Sequence, residues 1–238
     1  MPTFFISDLH LDESRPEMTQ LFLHFLQHEA KEADALYILG DLFEIWIGDD
    51  AQTALHRTVA KALRALPCVY FMHGNRDFLI GKRFAQEAGY QILPDPVVVT
   101  PYHQTILLTH GDLLCTEDTS YLRYRTWARN FFCQKLFLGL PLPWRQVIAK
   151  RLRQASQQHT QISRSEIMDI TEEAVSTIMD KYQVTRLIHG HTHRPMIRFF
   201  VRGGGFVQHI VLSDWEIYGN MLVLYPEGNV RLVNFRTL

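Results

Sequence analysis

Cysteine is scarce in this 238-residue chain. Cys68, Cys115 and Cys133 are odd in number and form no Cys-x-x-Cys pair. That points away from a disulfide framework and toward reduced thiols packed as core. Long apolar runs are missing too: none reaches the roughly eighteen residues that cross a bilayer. The N-terminal Met1-Pro2-Thr3-Phe4-Phe5-Ile6 lacks the basic and extended apolar regions of a secretory signal, so a cytoplasmic location is expected. Net charge is nearly absent, with 24 Lys+Arg against 25 Asp+Glu, and the total singles out no partner. No low-complexity linker and no repeat of solenoid length interrupts the chain. What is present is ordinary for a globular protein, 47% hydrophobic and 21% charged. The length suits one large domain, or one domain carrying an insertion.

One theme recurs along the chain: a short apolar run, a tight cluster of ligand-type residues, then a helical pattern. Phe4-Phe5-Ile6 leads to Asp8 and His10, and Leu36-Tyr37-Ile38-Leu39 leads to Gly40-Asp41. Val69-Tyr70-Phe71-Met72 leads to His73-Gly74-Asn75-Arg76-Asp77, and Ile106-Leu107-Leu108 to His110-Gly111-Asp112. Arg186-Leu187-Ile188 leads to His189-Gly190-His191-Thr192-His193. Apolar runs of this length bounded by glycine read as buried strands. Stripes at Leu21, Phe22, Phe25 and Leu26, at Leu55, Val59, Leu63 and Leu66, and at Ile167, Ile170, Ala174 and Ile178 read as helices. The alternation predicts a central, largely parallel sheet covered by helices. After His193 the pattern turns to strand and turn, with Tyr225-Pro226-Glu227-Gly228-Asn229 as a hairpin turn, which predicts a second sheet and a layered sandwich.

Sites in open α/β sheets form where loops converge beyond the carboxyl ends of strands. Asp8, His10, Asp41, Asn75, His110, His191 and His193 all occupy such positions. A lone Asp-x-His or Gly-Asp is an ordinary capped turn; seven ligand types at equivalent positions mark a metal-dependent catalytic centre. The donors are oxygen and imidazole without thiolate, which suits Mn²⁺, Mg²⁺, Fe or Co rather than a cysteine-type structural zinc. His189 is expected to point into the core. His24, His28, His56, His103, His159 and His209 fall outside the motifs, with surface or packing roles.

Asp8-Leu9-His10, Gly40-Asp41, Gly74-Asn75-Arg76-Asp77, His110-Gly111-Asp112 and Gly190-His191-Thr192-His193 resemble, in order, the motifs of the calcineurin-like metallophosphoesterases. That resemblance covers positions 8 to 193. It implies an α/β/β/α sandwich with two divalent ions, one held by Asp8, His10 and His193 and the other by Asn75, His110 and His191, with Asp41 bridging. Such a pair, roughly 3.5–4 Å apart, generates hydroxide near neutral pH and clamps a phosphoryl group for in-line attack.

Two features narrow the chemistry. Arg76 stands where many of the family carry histidine. Arginine cannot serve as a proton donor but grips phosphate oxygens in a fork, which suits a leaving group that departs unprotonated, hence a pyrophosphate. Residues 121–164 hold nine Lys+Arg (Arg123, Arg125, Arg129, Lys135, Arg145, Lys150, Arg151, Arg153, Arg164) and no Asp or Glu. Aromatic and aliphatic residues interleave them from Tyr121 to Trp144. This reads as an inserted helical lid facing anionic lipid, dividing the core into 1–120 and 165–238. Nucleic-acid binding and a merely solvated basic face are the competing readings.

With both features, the chain resembles the branch of that family that cleaves a UDP-linked, doubly acylated glucosamine in lipid A assembly. Leu36 to Glu44, His73 to Leu79, His110-Gly111-Asp112 with Cys115-Thr116, and Ile188 to Pro195 carry that likeness. It implies hydrolysis of the nucleotide-sugar lipid to UMP and 2,3-diacylglucosamine 1-phosphate, with Mn²⁺. Metal-activated water would attack the uridine-side phosphate, at the cytoplasmic face of the inner membrane. Asn75, Arg76, Asp118, Tyr121, Ser156, Arg164 and His191 would hold substrate. A monomer and no nucleic-acid partner are expected, with a metal-dependent nuclease or phosphodiesterase as the alternative function.

Overall fold

The computed structural model describes residues 1–162, 170–202 and 204–236, the side chains of 156–162 excepted. β1 (Thr3–Ile6) is buried along its whole length, which is why it reads as a continuous apolar run and not as an alternation. Parallel to it lie β2 (Ala35–Ile38), then β3 (Val69–Met72), then β4 (Gln91–Leu93). Their outer face is covered by α1 (Pro16–His28), α2 (Ala54–Leu63) and α3 (Lys82–Ala88). α1 starts on a proline, whose missing N–H costs nothing in the first turn, and buries Met18, Leu21, Phe22, Phe25 and Leu26. Burying each of the larger side chains contributes about 1.5–3 kcal/mol.

A second sheet runs β5 (Val97–Val99), β6 (Ile106–Leu108), β7 (Arg186–His189), β9 (Gly205–Val211) and β8 (Met196–Arg202). Phe5, Tyr37 and Met72 from the first sheet pack on Ile106, Leu108, Ile188 and Ile210 from the second. α7 (Glu172–Tyr182) closes the far side through Val175 and Met179. The order of layers is α/β/β/α, as expected.

The strands divide between the two sheets differently from the expected pattern. The five motif strands do not form one sheet: β1, β2 and β3 lie in the first, β6 and β7 in the second. Nor do the strands after His193 make a sheet of their own. β8 and β9 extend the second, while β10 (Gly219–Leu224) and β11 (Val230–Phe235) return to pair antiparallel beside β1. A strand as buried as β1 needs neighbours on both sides, and β10 supplies the second one. The 225–229 turn is a hairpin, closed by Tyr225 N–H on the Asn229 carbonyl at 2.9 Å.

Between β6 and α7 sit α4 (Thr119–Ala128), α5 (Phe131–Leu138) and α6 (Leu142–Ile162). α4 begins at Thr119, where Asp118 caps it by accepting Tyr121 N–H at 2.9 Å. Asn130 caps α5. Several basic residues of this insertion turn inward. Arg125 and Arg129 pair with Asp95 and Asp112, Arg145 with Asp50, and Arg153 with Glu44. Five of its apolar residues are instead open to solvent: Trp127, Phe131, Phe132, Leu136 and Trp144 are 60–77% exposed. Among the described residues no helix is long and apolar enough to cross a membrane.

Candidate metal centre and adjoining cavity

The loops leaving β1, β2, β3, β6 and β7 meet at one rim. Asp8 N–H bonds the Gly40 carbonyl, His10 N–H the Asp41 carbonyl, and Gly190 N–H the His110 carbonyl, all within 3.1 Å. Such packing leaves no room for side chains at two glycines. A Cβ on Gly74 would lie 2.0 Å from Asp41 Oδ1, and one on Gly190 2.2 Å from Asp8 Oδ2. The turns also hold Asp8, His10, Asp41, His191 and His193 in the left-handed region, with φ of 56°, 48°, 54°, 72° and 56°. Each such residue costs about 1–3 kcal/mol and persists only where its surroundings fix it.

All seven expected ligands converge here. Asn75 Oδ1 lies 2.9 Å from His110 Nε2 and 3.1 Å from His191 Nδ1. Asp41 Oδ2 stands 3.9 Å from Nε2 of His10 and 3.9 Å from Nε2 of His110, between the two halves of the cluster. His193 Nε2 is 3.5 Å from Asp8 Oδ1. The ligand atoms of Asp8, His10 and His193 lie within 4.8 Å of one another, and so do those of Asp8, Asp41 and His110. Asp8 is therefore common to both groups, while Asp41 belongs to the second.

These donors fit a cation. His110 Nδ1 donates to the Leu39 carbonyl at 2.9 Å, which turns Nε2 toward the acceptor oxygen of Asn75. With the Asn75 oxygen facing Nε2, a proton or a metal ion between the two atoms satisfies both. Asp8 Oδ1 and both ring nitrogens of His10 are buried and make no well-aligned hydrogen bond, Asp8 Oδ1 meeting only the His193 ring at 3.5 Å and His10 Nδ1 only Glu44 at 3.1 Å. Burial alone would raise the Asp8 pKa, yet His193, His110 and His10 outweigh it and hold the carboxyl far below its ordinary range. Burial disfavours a charged His193, but Asp214 and Asp8 lift it to about 10. Burial and the His110 charge push His191 down to about 4. The oxygen-and-imidazole set suits a divalent ion of intermediate hardness.

Two carboxylates escaped the sequence reading. Glu44 Oε2 lies 3.1 Å from His10 Nδ1, and Asp214 Oδ2 lies 3.3 Å from His193 Nδ1. Each faces the ring nitrogen turned away from the centre and so orients the imidazole. The signal for Asp214 lay in the topology: β9 runs parallel to β7, so the loop after it reaches the same rim. His189 stays out of the centre, as expected; it is buried, 2.7 Å from His209 Nε2, and burial lowers its pKa to about 3.

Beside the centre opens a cavity of about 380 Å³ walled by Trp46, Phe78, Trp127, Phe137 and Leu152, with Asn75, Arg76 and Tyr121 at its inner end. Arg76 is not spent on Asp77, whose oxygens accept the backbone N–H groups of Leu42 and Gly74. Arg76 Nε is buried without a partner. Tyr121 donates its hydroxyl to Asp112 at 2.6 Å. The Ser156 side chain and the whole of Arg164 lie outside the described residues.

The family model of calcineurin-like phosphoesterases matches residues 1–195, and the chain belongs to that family. More narrowly, it is 49% identical over 240 residues to a UDP-2,3-diacylglucosamine hydrolase of Enterobacter sp. (strain 638), covering 99% of each chain. It is 47% identical to the UDP-2,3-diacylglucosamine hydrolase of Serratia proteamaculans (strain 568), again over 99% of each. An archaeal phosphodiesterase shares the fold, with a TM-score of 0.51 at 13% identity, covering 99% of this chain and all of the other.

Proposed function

We propose that this chain hydrolyses UDP-2,3-diacylglucosamine to UMP and 2,3-diacylglucosamine 1-phosphate, a step of lipid A biosynthesis. The observation that carries this reading is the junction of an apolar cavity with a phosphate-type centre, with the partnerless Arg76 Nε between them. Acyl chains fit the apolar wall, and the pyrophosphate fits the guanidinium. Asp8, His10 and His193 would hold one divalent ion and Asn75, His110 and His191 another, with Asp41 between. When bound, such ions, Mn²⁺ by preference, lower the pKa of water and neutralise phosphoryl oxygens.

The residues of the chain do the rest. Glu44 and Asp214 fix the ring planes of His10 and His193. Arg76 binds the phosphate that leaves, and as a permanent cation it offers charge without a proton. Water adds to the uridine-side phosphorus, and the bond to the bridging oxygen breaks with 2,3-diacylglucosamine 1-phosphate as leaving group. Helices α4 to α6 act as the lid over the acyl chains. Their exposed Trp127, Phe131, Phe132, Leu136 and Trp144 rest on the cytoplasmic face of the inner membrane, and the protein works as a monomer.

Incubation with UDP-2,3-diacylglucosamine, plasmid DNA and a chromogenic phosphodiester, each with Mn²⁺ or a chelator, tests the reading. In ¹⁸O-water the label is expected in UMP alone and only with metal. Preferred cleavage of DNA would favour the nuclease alternative; label in the lipid product would reverse the orientation.

A further inference from the structure

A second cavity, of about 330 Å³, opens between α7 and the β8–β9 hairpin, lined by Ser176, Thr192, Arg194, Phe200 and His209 among others. Its volume falls in the ~300–1,000 Å³ range of small-molecule sites. Its chemistry is unlike that of the first. Arg198 and Glu172 form an ion pair in its lining, Ser176 and Thr192 bring hydroxyls, and His209 is held neutral by burial. Phe200 adds a flat apolar surface, beside Ile170, Val175, Met196 and Val211. A mixed lining of this kind suits a heterocycle with several hydrogen-bonding edges better than an alkyl chain.

Its position is the stronger argument. Thr192 sits between His191 and His193, and Arg194 follows His193, so this cavity begins one residue from two candidate ligands. The first cavity reaches the centre through different residues, Asn75 and Arg76. Two unlike cavities therefore flank the centre, one largely apolar and one of mixed polar and apolar lining. A substrate with a lipid half and a nucleotide half, joined at the phosphates, matches that arrangement.

We propose that the cavity between α7 and β8 receives the uridine half of the substrate, with the base against Phe200 and the ribose toward Thr192 and Arg194. This rests on the substrate reading above and deepens it.

Calorimetry on the Mn²⁺-loaded full chain can separate the halves by titrating UMP and 2,3-diacylglucosamine 1-phosphate individually. Ser176→Tyr should fill the cavity, and Phe200→Ala should remove the surface for the base. Each variant is expected to weaken UMP at least tenfold while leaving the lipid product within about twofold, and to retain wild-type thermal unfolding. Uridine, which carries no phosphate to anchor at the metals, should show saturation-transfer NMR contacts that both variants abolish. Unchanged UMP affinity in both variants, or equal loss of both products, would overturn the assignment. Failure of the wild type to cleave UDP-2,3-diacylglucosamine, with UMP binding still lost in the variants, would instead sink the substrate reading and leave the nucleotide site standing.

Discussion

Arg125 Nε donates to Asp112 Oδ2 across 2.7 Å, with the carboxylate fully buried and the guanidinium 13% exposed. Burial alone would raise the Asp112 pKa, but His110, Arg125 and Arg129 hold it well below the usual carboxylate range. Removing one partner of a buried pair strands the other charge, at about 3–5 kcal/mol. Arg125→Ala is therefore expected to lose stability on that scale in urea unfolding. Arg123→Ala, two residues away on the same helix but exposed, should stay within about 0.5 kcal/mol. Equal behaviour of the two variants would mean that α4 is fastened by something else.

Arg76 should matter to the reaction more than to the fold. Arg76→Ala is expected to cost about 2–5 kcal/mol in kcat/KM, the range for truncating one side of a desolvated charge pair. Arg76→Lys should recover only part, since a point charge cannot form a two-pronged contact. Full activity in the lysine variant would show that charge alone is enough.

Asp41 lies between the two groups of ligand atoms and His193 on one side only. Metal analysis after equilibration in Mn²⁺ should therefore find about two ions per wild-type chain and about one in His193→Ala. Asp41→Ala should fall below that. If Asp41→Ala retains both ions, Asp8 is the essential bridge instead.

His56 offers a pH test remote from the metals. Its Nδ1 accepts the Thr53 N–H at 3.1 Å, and burial lowers its pKa from 6.5 to about 4. Between those values the unfolded chain binds more protons than the folded one, so stability rises with pH. The contribution is complete above pH 6.5 and is lost as pH falls toward 4. The melting temperature should drop more between pH 7.5 and 5 in the wild type than in His56→Gln, which keeps an acceptor without titrating. Parallel curves would rule the mechanism out.

Membrane contact through the α4–α6 insertion predicts co-sedimentation with anionic vesicles. Phe132→Ser with Leu136→Ser, both more than 70% exposed, should reduce it with unchanged thermal unfolding. Added salt should weaken what remains, because each basic residue near such a surface contributes about 1 kcal/mol that ions screen. Vesicle binding indifferent to both changes would place the contact elsewhere.

The seven converging residues were legible because each follows a short buried strand directly, so local pattern and spatial placement coincide. The sheet membership of β10 was not: it depends on an antiparallel partner more than two hundred residues away, Thr3 against Leu224. Glu44 and Asp214 were missed for a related reason, since what defines them is a neighbour, His10 or His193, and not a spacing. The basic stretch from 121 misled in part. Its charges looked unopposed along the chain, yet Asp50 and Asp95 oppose Arg145 and Arg125 from 95 and 30 residues upstream. Among the described residues, Arg125, Arg129, Arg145 and Arg153 are engaged by carboxylates of the core segments.

The left-handed turns at Asp8, His10, Asp41, His191 and His193 bear on how this sequence can drift. Apart from glycine, the residues that tolerate such backbone best are Asp, Asn and His, and the same three offer oxygen or imidazole to a metal. Branched or bulky replacements are removed first by sterics, before catalysis is put to the test. Among substitutions that still fold at these five sites, a large share can still coordinate. Wandering there runs mostly from one ligand to another, so the metal preference of a lineage can shift while its site persists.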